Sequence, residues 1–413
     1  MAPLVIRCGR VFDGRQLRQE TDLEVLLRDG RIESIAPAGS SPRIDAATVI
    51  DVRGLTLLPG LIDAHFHAVS GSLDVAAIDR MHPSHRALGA REQLEATLRR
   101  GFTTVRDAGG ADVGLVRATN EGLIDGPRLF VAGKALSQTG GHGDMRPGET
   151  VSMCGCAYSG ALSEVVDGAD RMRGVVRELL RQGVHHIKLF VSGGVLSPTD
   201  PIWMDQFTGE EIRAAVAEAA TRRTYVMAHA HTANAAIRCA RNGVRSIEHG
   251  TLMDRRSADE VARAGSFVVP TLAVVEAIRE APLGLPAGAI DKLSQVGDSA
   301  AAAIEHCRAA GVKLGFGTDL FGPLRNQQCR EFTARGRLQS ALEVLQSATS
   351  INAELMGQDG EIGTLAAGAQ ADLIAVRDDP LADIGVLANP EKNLALVVRG
   401  GRIILNRIER GSL

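Results

Sequence analysis

Along the middle of this 413-residue chain, short apolar runs that close on a polar residue alternate with longer stretches rich in Ala, Leu, Arg and Glu. The runs read as strands: "LIDAHFH" at 61–67, "TTVRDAG" at 103–109, "RLFVAGK" at 128–134, "HIKLFVSGG" at 186–194, "TYVMAHAH" at 224–231, "SIEHGT" at 246–251, "SFVVPT" at 266–271 and "KLGFGTD" at 313–319. The stretches between them, such as "HRALGAREQLEATLRRG", "VVRELLRQG" and "GEEIRAAVAEAATRR", carry helical periodicity. Eight short apolar strands separated by helices fit the α/β class as a parallel (β/α)8 TIM barrel, expected over 58–359. A doubly wound open sheet would carry a glycine-rich dinucleotide fingerprint after its first strand, and none is present.

The two ends have a different texture. "LVIRCGRVFDG", "LEVLLRDGRIESIAP" and "ATVIDVRGLTLLPG" at the start, and "ADLIAVRDD" and "LALVVRGGRIILN" at the end, are short strands broken by turns. Asp29-Gly30 is a hairpin signal, and a Gly-Gly turn splits the last pair. Left separate, the two extensions would expose unpaired edges, so one small β-sandwich built from 1–57 and 360–413 is expected.

Composition narrows the partners. Lys and Arg total 46 against 49 Asp and Glu, a formal charge of −3 without long like-charged runs, which gives no footing for nucleic acid. No segment has the length and apolarity of a membrane span, and "MAPLVIRCGRVFDG" lacks the features of a secretory leader, so a cytoplasmic location is expected. Six scattered cysteines make no disulfide framework, and Cys154-Gly-Cys156 has no second pair to complete a soft-metal site, which leaves it an ordinary loop. Aromatic residues are 3% of the chain, with one tryptophan, too few for stacking platforms.

Polar residues at the strand ends carry the candidate chemistry. His65 and His67 are two apart in a strand, so both rings face one side. Lys188 lies in the fourth strand, His229 and His231 end the fifth, His249 the sixth and Asp319 the eighth, where barrel enzymes place their chemistry. Each has an ordinary alternative: Lys188 could snorkel, Asp319 could cap a helix, and His249 could satisfy a buried hydrogen bond. Together those alternatives require several independent coincidences.

The set "DAHFH", "IKLFVSGG", "MAHAHT", "SIEHGT" and "GFGTD", inside a β-rich wrap, resembles the amidohydrolase superfamily. Within it the chain is similar to the imidazolonepropionase-related branch, which contains Xaa-Pro and Xaa-Arg/Lys dipeptidases and ochratoxinase-type amidases. The resemblance implies that His65, His67 and Asp319 hold one divalent ion and that His229 and His249 hold a second, zinc being the expected metal. Lys188, converted by carbon dioxide to a carbamate, would bridge the two, because a free ammonium repels metal whereas a carbamate offers two anionic oxygens. Asp319 would also move the proton. His142, in "TGGHGD", would face substrate and act with Asp319 in catalysis; His231, Arg146, Arg325 and the Ser192-Gly193-Gly194 turn are candidate substrate contacts. His185 and His186 read as structural, and His82, His85 and His306 as solvated.

The implied activity is carboxypeptidase-like hydrolysis of dipeptides or N-acyl amino acids, ochratoxin-type amides among them, by a hydroxide shared between the ions. Two divalent ions offset by carbamate, Asp319 and hydroxide leave about one positive charge, which favours an anionic substrate. A cyclic-amide hydrolase or lactonase with the same metals is the alternative. A one-metal deaminase is disfavoured by Lys188, and a non-catalytic scaffold has no need of the ligand set. Relatives are commonly multimeric, so a homo-oligomer is expected.

Overall fold

The computed structural model describes residues 2–40, 47–149, 158–280, 285 and 288–408. Cys154-Gly-Cys156 lies outside them. The chain opens with β1 (Leu4–Cys8), β2 (Arg10–Val11), β3 (Leu23–Arg28), β4 (Arg31–Pro37), β5 (Thr48–Asp51) and β6 (Thr56–Pro59). Asp29 and Gly30 join β3 to β4 with φ of 49° and 78°, the left-handed pair that a two-residue hairpin turn demands.

The central region contains β7 (Leu61–Phe66), β8 (Phe102–Asp107), β9 (Arg128–Val131), β10 (Ala135–Ser137), β11 (Ser163–Val165), β12 (Ile187–Phe190), β13 (Val226–Thr232), β14 (Ser246–Leu252) and β15 (Phe267–Val269). The end of the chain adds β16 (Leu373–Val376), β17 (Leu394–Arg399) and β18 (Arg402–Asn406). Gly400 and Gly401, both at positive φ, make the turn between the last two.

One small sheet has the order β4-β3-β1-β5 and comes wholly from the N-terminal segment; its partner, β18-β17-β16-β6-β2, interleaves both ends of the chain. Their facing sides bury Ile6, Val25, Leu57, Leu373 and Leu396 in one apolar layer. The sandwich reaches slightly further than the division expected at residue 57. Leu58 and Pro59 still pair with Ile374 and Leu373, and Gly60 alone separates β6 from the first barrel strand.

The barrel strands run parallel in the sets β7-β8-β9 and β11-β10-β12-β13-β14-β15. The third position, expected as one strand at 128–134, is split: β9 breaks at Gly133, φ 68°, and β10 resumes to pair with β12. The added edge strand β11 has no counterpart in the sequence reading. The eighth position is an extended segment with little regular ladder. Val268 donates to the Lys313 carbonyl at 3.1 Å on one side, while Ala64 donates to Phe316 and Asp319 to His65, each at 2.8 Å, on the other. These bonds close the ring between β15 and β7.

Helices cover the outside as their apolar faces require. In Ala169–Gln182 the buried residues Met172, Val176, Leu179 and Leu180 recur at helical spacing against the sheet. Helix Gly209–Thr221 starts from a Thr208/Glu211 capping box.

Candidate active site

The ends of the first, fourth, fifth, sixth and eighth barrel strands bring His65, His67, Lys188, His229, His249 and Asp319 to one cleft, lined also by His142 and His231. The imidazoles form a contiguous array. Ring centroids lie 5.6 Å apart for His65 and His67, 5.0 Å for His65 and His249, and 4.6 Å for His249 and His229. Asp319 Oδ1 lies 3.3 Å from His65 Nε2 and 3.2 Å from His67 Nε2, and its Oδ2 lies 3.9 Å from His249 Nε2. His65, His67 and Asp319 thus present three ligand atoms within 4.8 Å of one another. Imidazole nitrogens with a carboxylate oxygen are the donor set a divalent zinc-like ion takes, so these residues fit one.

Local backbone is bent to aim these groups. His249, Thr271 and Asp319 have φ of 74°, 50° and 54°. Left-handed backbone at a non-glycine residue costs about 1–3 kcal/mol, and it concentrates here at three consecutive strand ends. Gly317 permits the approach of the eighth strand to the first: a Cβ there would stand 2.6 Å from His65 Cβ and 2.5 Å from Val269 Cγ1.

Each ring is locked through its outward nitrogen. His65 Nδ1 meets Glu248 Oε2 at 2.8 Å, His67 Nδ1 the Gly109 carbonyl at 2.9 Å, His249 Nδ1 Thr271 Oγ1 at 2.7 Å and His231 Nδ1 Thr251 Oγ1 at 2.8 Å. In all four the partner leaves Nε2 as the nitrogen free for the cleft, the arrangement that orients histidines around metals. His229 is held the other way, with Nε2 against the Gly193 carbonyl at 3.1 Å.

Behind His65 lies a buried ion pair that the sequence reading missed. Arg106 and Glu248 are both fully buried, and Arg106 Nη2 donates to Glu248 Oε1 at 2.9 Å. The guanidinium also donates to the Ala64 carbonyl and Ser246 Oγ, and Ser246 Oγ donates to Glu248. Asp63, likewise unassigned from sequence, ties the first strand to the eighth. It accepts from the backbone N–H groups of His65 and Thr318, from Thr318 Oγ1 at 2.6 Å and from Gln328 Nε2 at 2.9 Å. The available signal was charge inside strands: "TTVRDAG" buries Arg106 and Asp107, "SIEHGT" Glu248 and "LIDAHFH" Asp63.

Burial and mutual proximity set the protonation of the cluster. Burial, reinforced by neighbouring rings, holds His229 and His249 well below the usual imidazole value and His231 down to about 3. Burial opposes the Asp319 charge, but His65 and His67 outweigh it and hold the carboxyl well below its ordinary range. Glu248 is brought down to about 2, Arg106 and His65 outweighing its burial. Burial lowers the Lys188 ammonium to about 8. Lys188 is 1% exposed, and among the described residues no hydrogen bond or ion pair holds its head.

The other candidates divide. His142 stacks on His229 at 4.4 Å and its Nδ1 meets Ser197 Oγ at 2.8 Å, with Asp200 at 3.6 Å. Gly194 makes room for it, since a Cβ there would lie 2.2 Å from the ring. Arg146 and Arg325 do not line the cleft. Asp144 engages Arg146 through Nε and Nη2 at 2.8 and 2.6 Å, and Arg325 Nε donates to the Gly322 carbonyl. His185 accepts the Val131 N–H, and His186 bonds the Asp107 carbonyl. His82 and His85 are exposed, whereas His306, expected in solvent, is half-buried against the Met253 carbonyl. A wider groove of about 1180 Å³ opens outside the barrel beside helices Pro83–Arg99 and Ala169–Gln182, without a ligating cluster among the described residues.

Comparison with known proteins agrees with this geometry. The amidohydrolase family pattern matches residues 56–404. Ochratoxinase of Aspergillus niger is 32% identical over 364 residues, spanning 84% of this chain and 75% of its own. A crystal structure of a prolidase complexed with N-methylphosphonate-L-proline is 41% identical, with a TM-score of 0.93 over 98% of this chain and all of the other. A Xaa-Pro dipeptidase structure with bound methionine is 31% identical, with a TM-score of 0.88 over 97% and 99%. A barrel wrapped by a two-ended sandwich, a strand-end cluster of histidines and carboxylate, and a family match over most of its length make this chain a member of the amidohydrolase family, a hydrolase acting on amide bonds.

Proposed function

We propose that the chain is a two-metal amide hydrolase with carboxypeptidase-like action, releasing the C-terminal amino acid from dipeptides or N-acyl amino acids. The observation that carries this reading is the meeting of His65, His67, Lys188, His229, His249 and Asp319 in one cleft. His65, His67 and Asp319 would hold one divalent ion and His229 and His249 a second, with zinc the metal suited to the set. Lys188 would add anionic oxygens to the set as the carbamate formed from its neutral amine and carbon dioxide, and the burial that lowers its ammonium to about 8 favours that amine. When bound, the ions supply Lewis acidity and lower the pKa of water towards neutrality.

The protein's own groups do the rest. Asp319 accepts the proton released as water oxygen bonds the acyl carbon, and delivers it to the nitrogen as the C–N bond breaks. His142 and His231 engage the substrate's α-carboxylate and fix the amide over Asp319. The relatives named as prolidase, Xaa-Pro dipeptidase and ochratoxinase support the substrate class.

The test is to load the purified protein with zinc, count metal per chain, and follow products from N-acyl amino acids and dipeptides by mass spectrometry. Near two ions per chain and release of a free C-terminal amino acid are expected. Capping the α-carboxylate as a primary amide is expected to lower kcat/KM at least ~10-fold, because the carboxylate's partners are then left unpaired. Equal cleavage of capped and free substrates, or ring-opening products alone, would replace this reading with the cyclic-amide or lactone one.

A further inference from the structure

Asp200 lies in the loop that follows β12 and is fully buried, with Ser197 and Gln206 buried beside it. Its Oδ2 accepts from the Gly194 N–H and from Gln206 Nε2, each at 3.1 Å, and stands 3.6 Å from His142 Nδ1. Gln206 holds the same histidine by its main chain: its Oε1 accepts the His142 backbone N–H at 2.9 Å. Gly141 makes that approach possible, since a Cβ there would stand 2.6 Å from Gln206 Oε1. Ser197 Oγ donates to the Gly194 carbonyl at 3.2 Å, so in its 2.8 Å contact with His142 it is the acceptor, and Nδ1 carries the hydrogen. The ring itself is wedged between His229, stacked at 4.4 Å, and Phe190, edge-on at 5.1 Å.

Resting on the reading that His142 engages the substrate's α-carboxylate, we propose that Asp200 is the positioning residue for His142: with Ser197 and Gln206 it fixes which ring nitrogen carries the hydrogen and where the ring stands, and so sets the preference for a free α-carboxylate. A carboxylate is strongly disfavoured away from water unless it is hydrogen-bonded and faces positive charge. Burial opposes the Asp200 charge, but His142, Ser197 and Lys292 outweigh it and hold the carboxyl below its ordinary range. Lys292 is anchored in the same network, its ammonium donating to the Ser197 carbonyl at 2.9 Å. An anion beside Nδ1 favours hydrogen on that nitrogen and leaves Nε2 for the cleft, which a neutral amide in the same place does not do.

The experiment reads the zinc-loaded protein in two ways. Its histidines, labelled with nitrogen-15, are observed by NMR, with His142→Gln to assign the ring signals; and kcat/KM is measured for the N-acyl amino acid or dipeptide cleaved best and for its primary amide. In the wild type Nδ1 of His142 is expected to carry hydrogen. In Asp200→Asn the share of that form is expected to fall, and the acid-to-amide ratio of kcat/KM to drop from at least ~10-fold to below ~3-fold. Where Asp200→Asn does not fold by circular dichroism, Ser197→Ala, which keeps the carboxylate and removes the oxygen that accepts from Nδ1, is expected to move both readouts the same way. Unmoved ring signals in a folded variant would overturn this inference whatever the enzyme cleaves, and so would moved signals with an unchanged ratio. Moved signals in a protein whose wild type cleaves none of these substrates, or cleaves acid and amide alike, would overturn the carboxylate reading of the site and leave Asp200 the residue that positions His142.

Discussion

The proposed function gives Asp319 two tasks that one substitution separates. Asparagine keeps an oxygen for the ion but cannot accept a proton, so Asp319→Asn is expected to lower kcat roughly 10²-fold or more with metal content nearly unchanged. Elemental analysis beside steady-state kinetics decides it; retained kcat would leave Asp319 a ligand alone. On the two-metal proposal Lys188 is the residue that would link the two sets of histidines, so Lys188→Ala should cost at least one ion per chain and almost all turnover. A fully active Lys188→Ala protein holding two ions would end the two-metal reading. Glu248 acts at one remove. It holds His65 Nδ1 at 2.8 Å and is itself held by Arg106. In Glu248→Gln the charge that fixes the His65 tautomer is gone, so the metal dissociation constant should rise ~10–100-fold, read by competition with a chromophoric chelator on protein confirmed folded by circular dichroism. An unchanged constant would make the Arg106–Glu248 pair a fold element only. His65, His67, His249 and Asp319 were legible because they are polar residues at strand ends. Glu248 and Arg106 were not, because their partners are 183 and 142 positions away along the chain.

At the level of elements, the eighth barrel position shows what hydrophobic patterning can and cannot convey. "KLGFGTD" has the apolar character of a strand, yet the segment makes few regular pairings and ends in left-handed backbone at Asp319. Its place is set by Gly317, whose missing side chain lets it lie against His65. A methyl group in Gly317→Ala would stand 2.9 Å from the His65 backbone nitrogen, and a main-chain atom cannot rotate away. The expected cost is ~1–3 kcal/mol of stability with weakened metal binding, measured by urea unfolding and by chelator competition. Wild-type values for both would mean the first and eighth strands part without consequence. The split third strand and the edge strand β11 were equally hidden, since Gly133 reads as a turn in sequence and only pairing with β12 shows that the barrel continues beyond it.

For the whole molecule, the barrel and the two-ended sandwich are coupled through Gly60, so the first residues and the last share one sheet with the strand that leads to His65 and His67. The cleft groups are histidines in close array with, among the described residues, the single carboxylate of Asp319, a donor set that a bound cation would stabilise. Removing the ions with chelator is therefore expected to lower the melting temperature by roughly 3 °C per ion site, the shift for a chain of this size when a ligand at about 100 times its dissociation constant is withdrawn. Zinc added back should restore it. A melting temperature unaffected by chelation would show that the folded chain holds no ion in preference to the unfolded one.

The order of strands and helices, the β-rich ends, and the histidines, lysine and aspartate at strand termini were determined by the sequence alone. Alternation, turn residues and strand-end polarity are local properties, and a chain states local properties directly. Which of those polar residues meet was decided by closure of the barrel. Ring closure puts Asp319 beside His65, ties Asp63 to Thr318 and Gln328, and sets Arg106 against Glu248 in the interior. Arg146 and Arg325 lie outside the cleft, Arg146 held by the nearby Asp144 carboxylate and Arg325 donating its Nε to the Gly322 carbonyl. The aliphatic wall of the cleft belongs to the same category: Val274, Ile278 and Leu293 are ordinary helix residues in sequence, and only the tertiary structure brings them to the lining of the cleft.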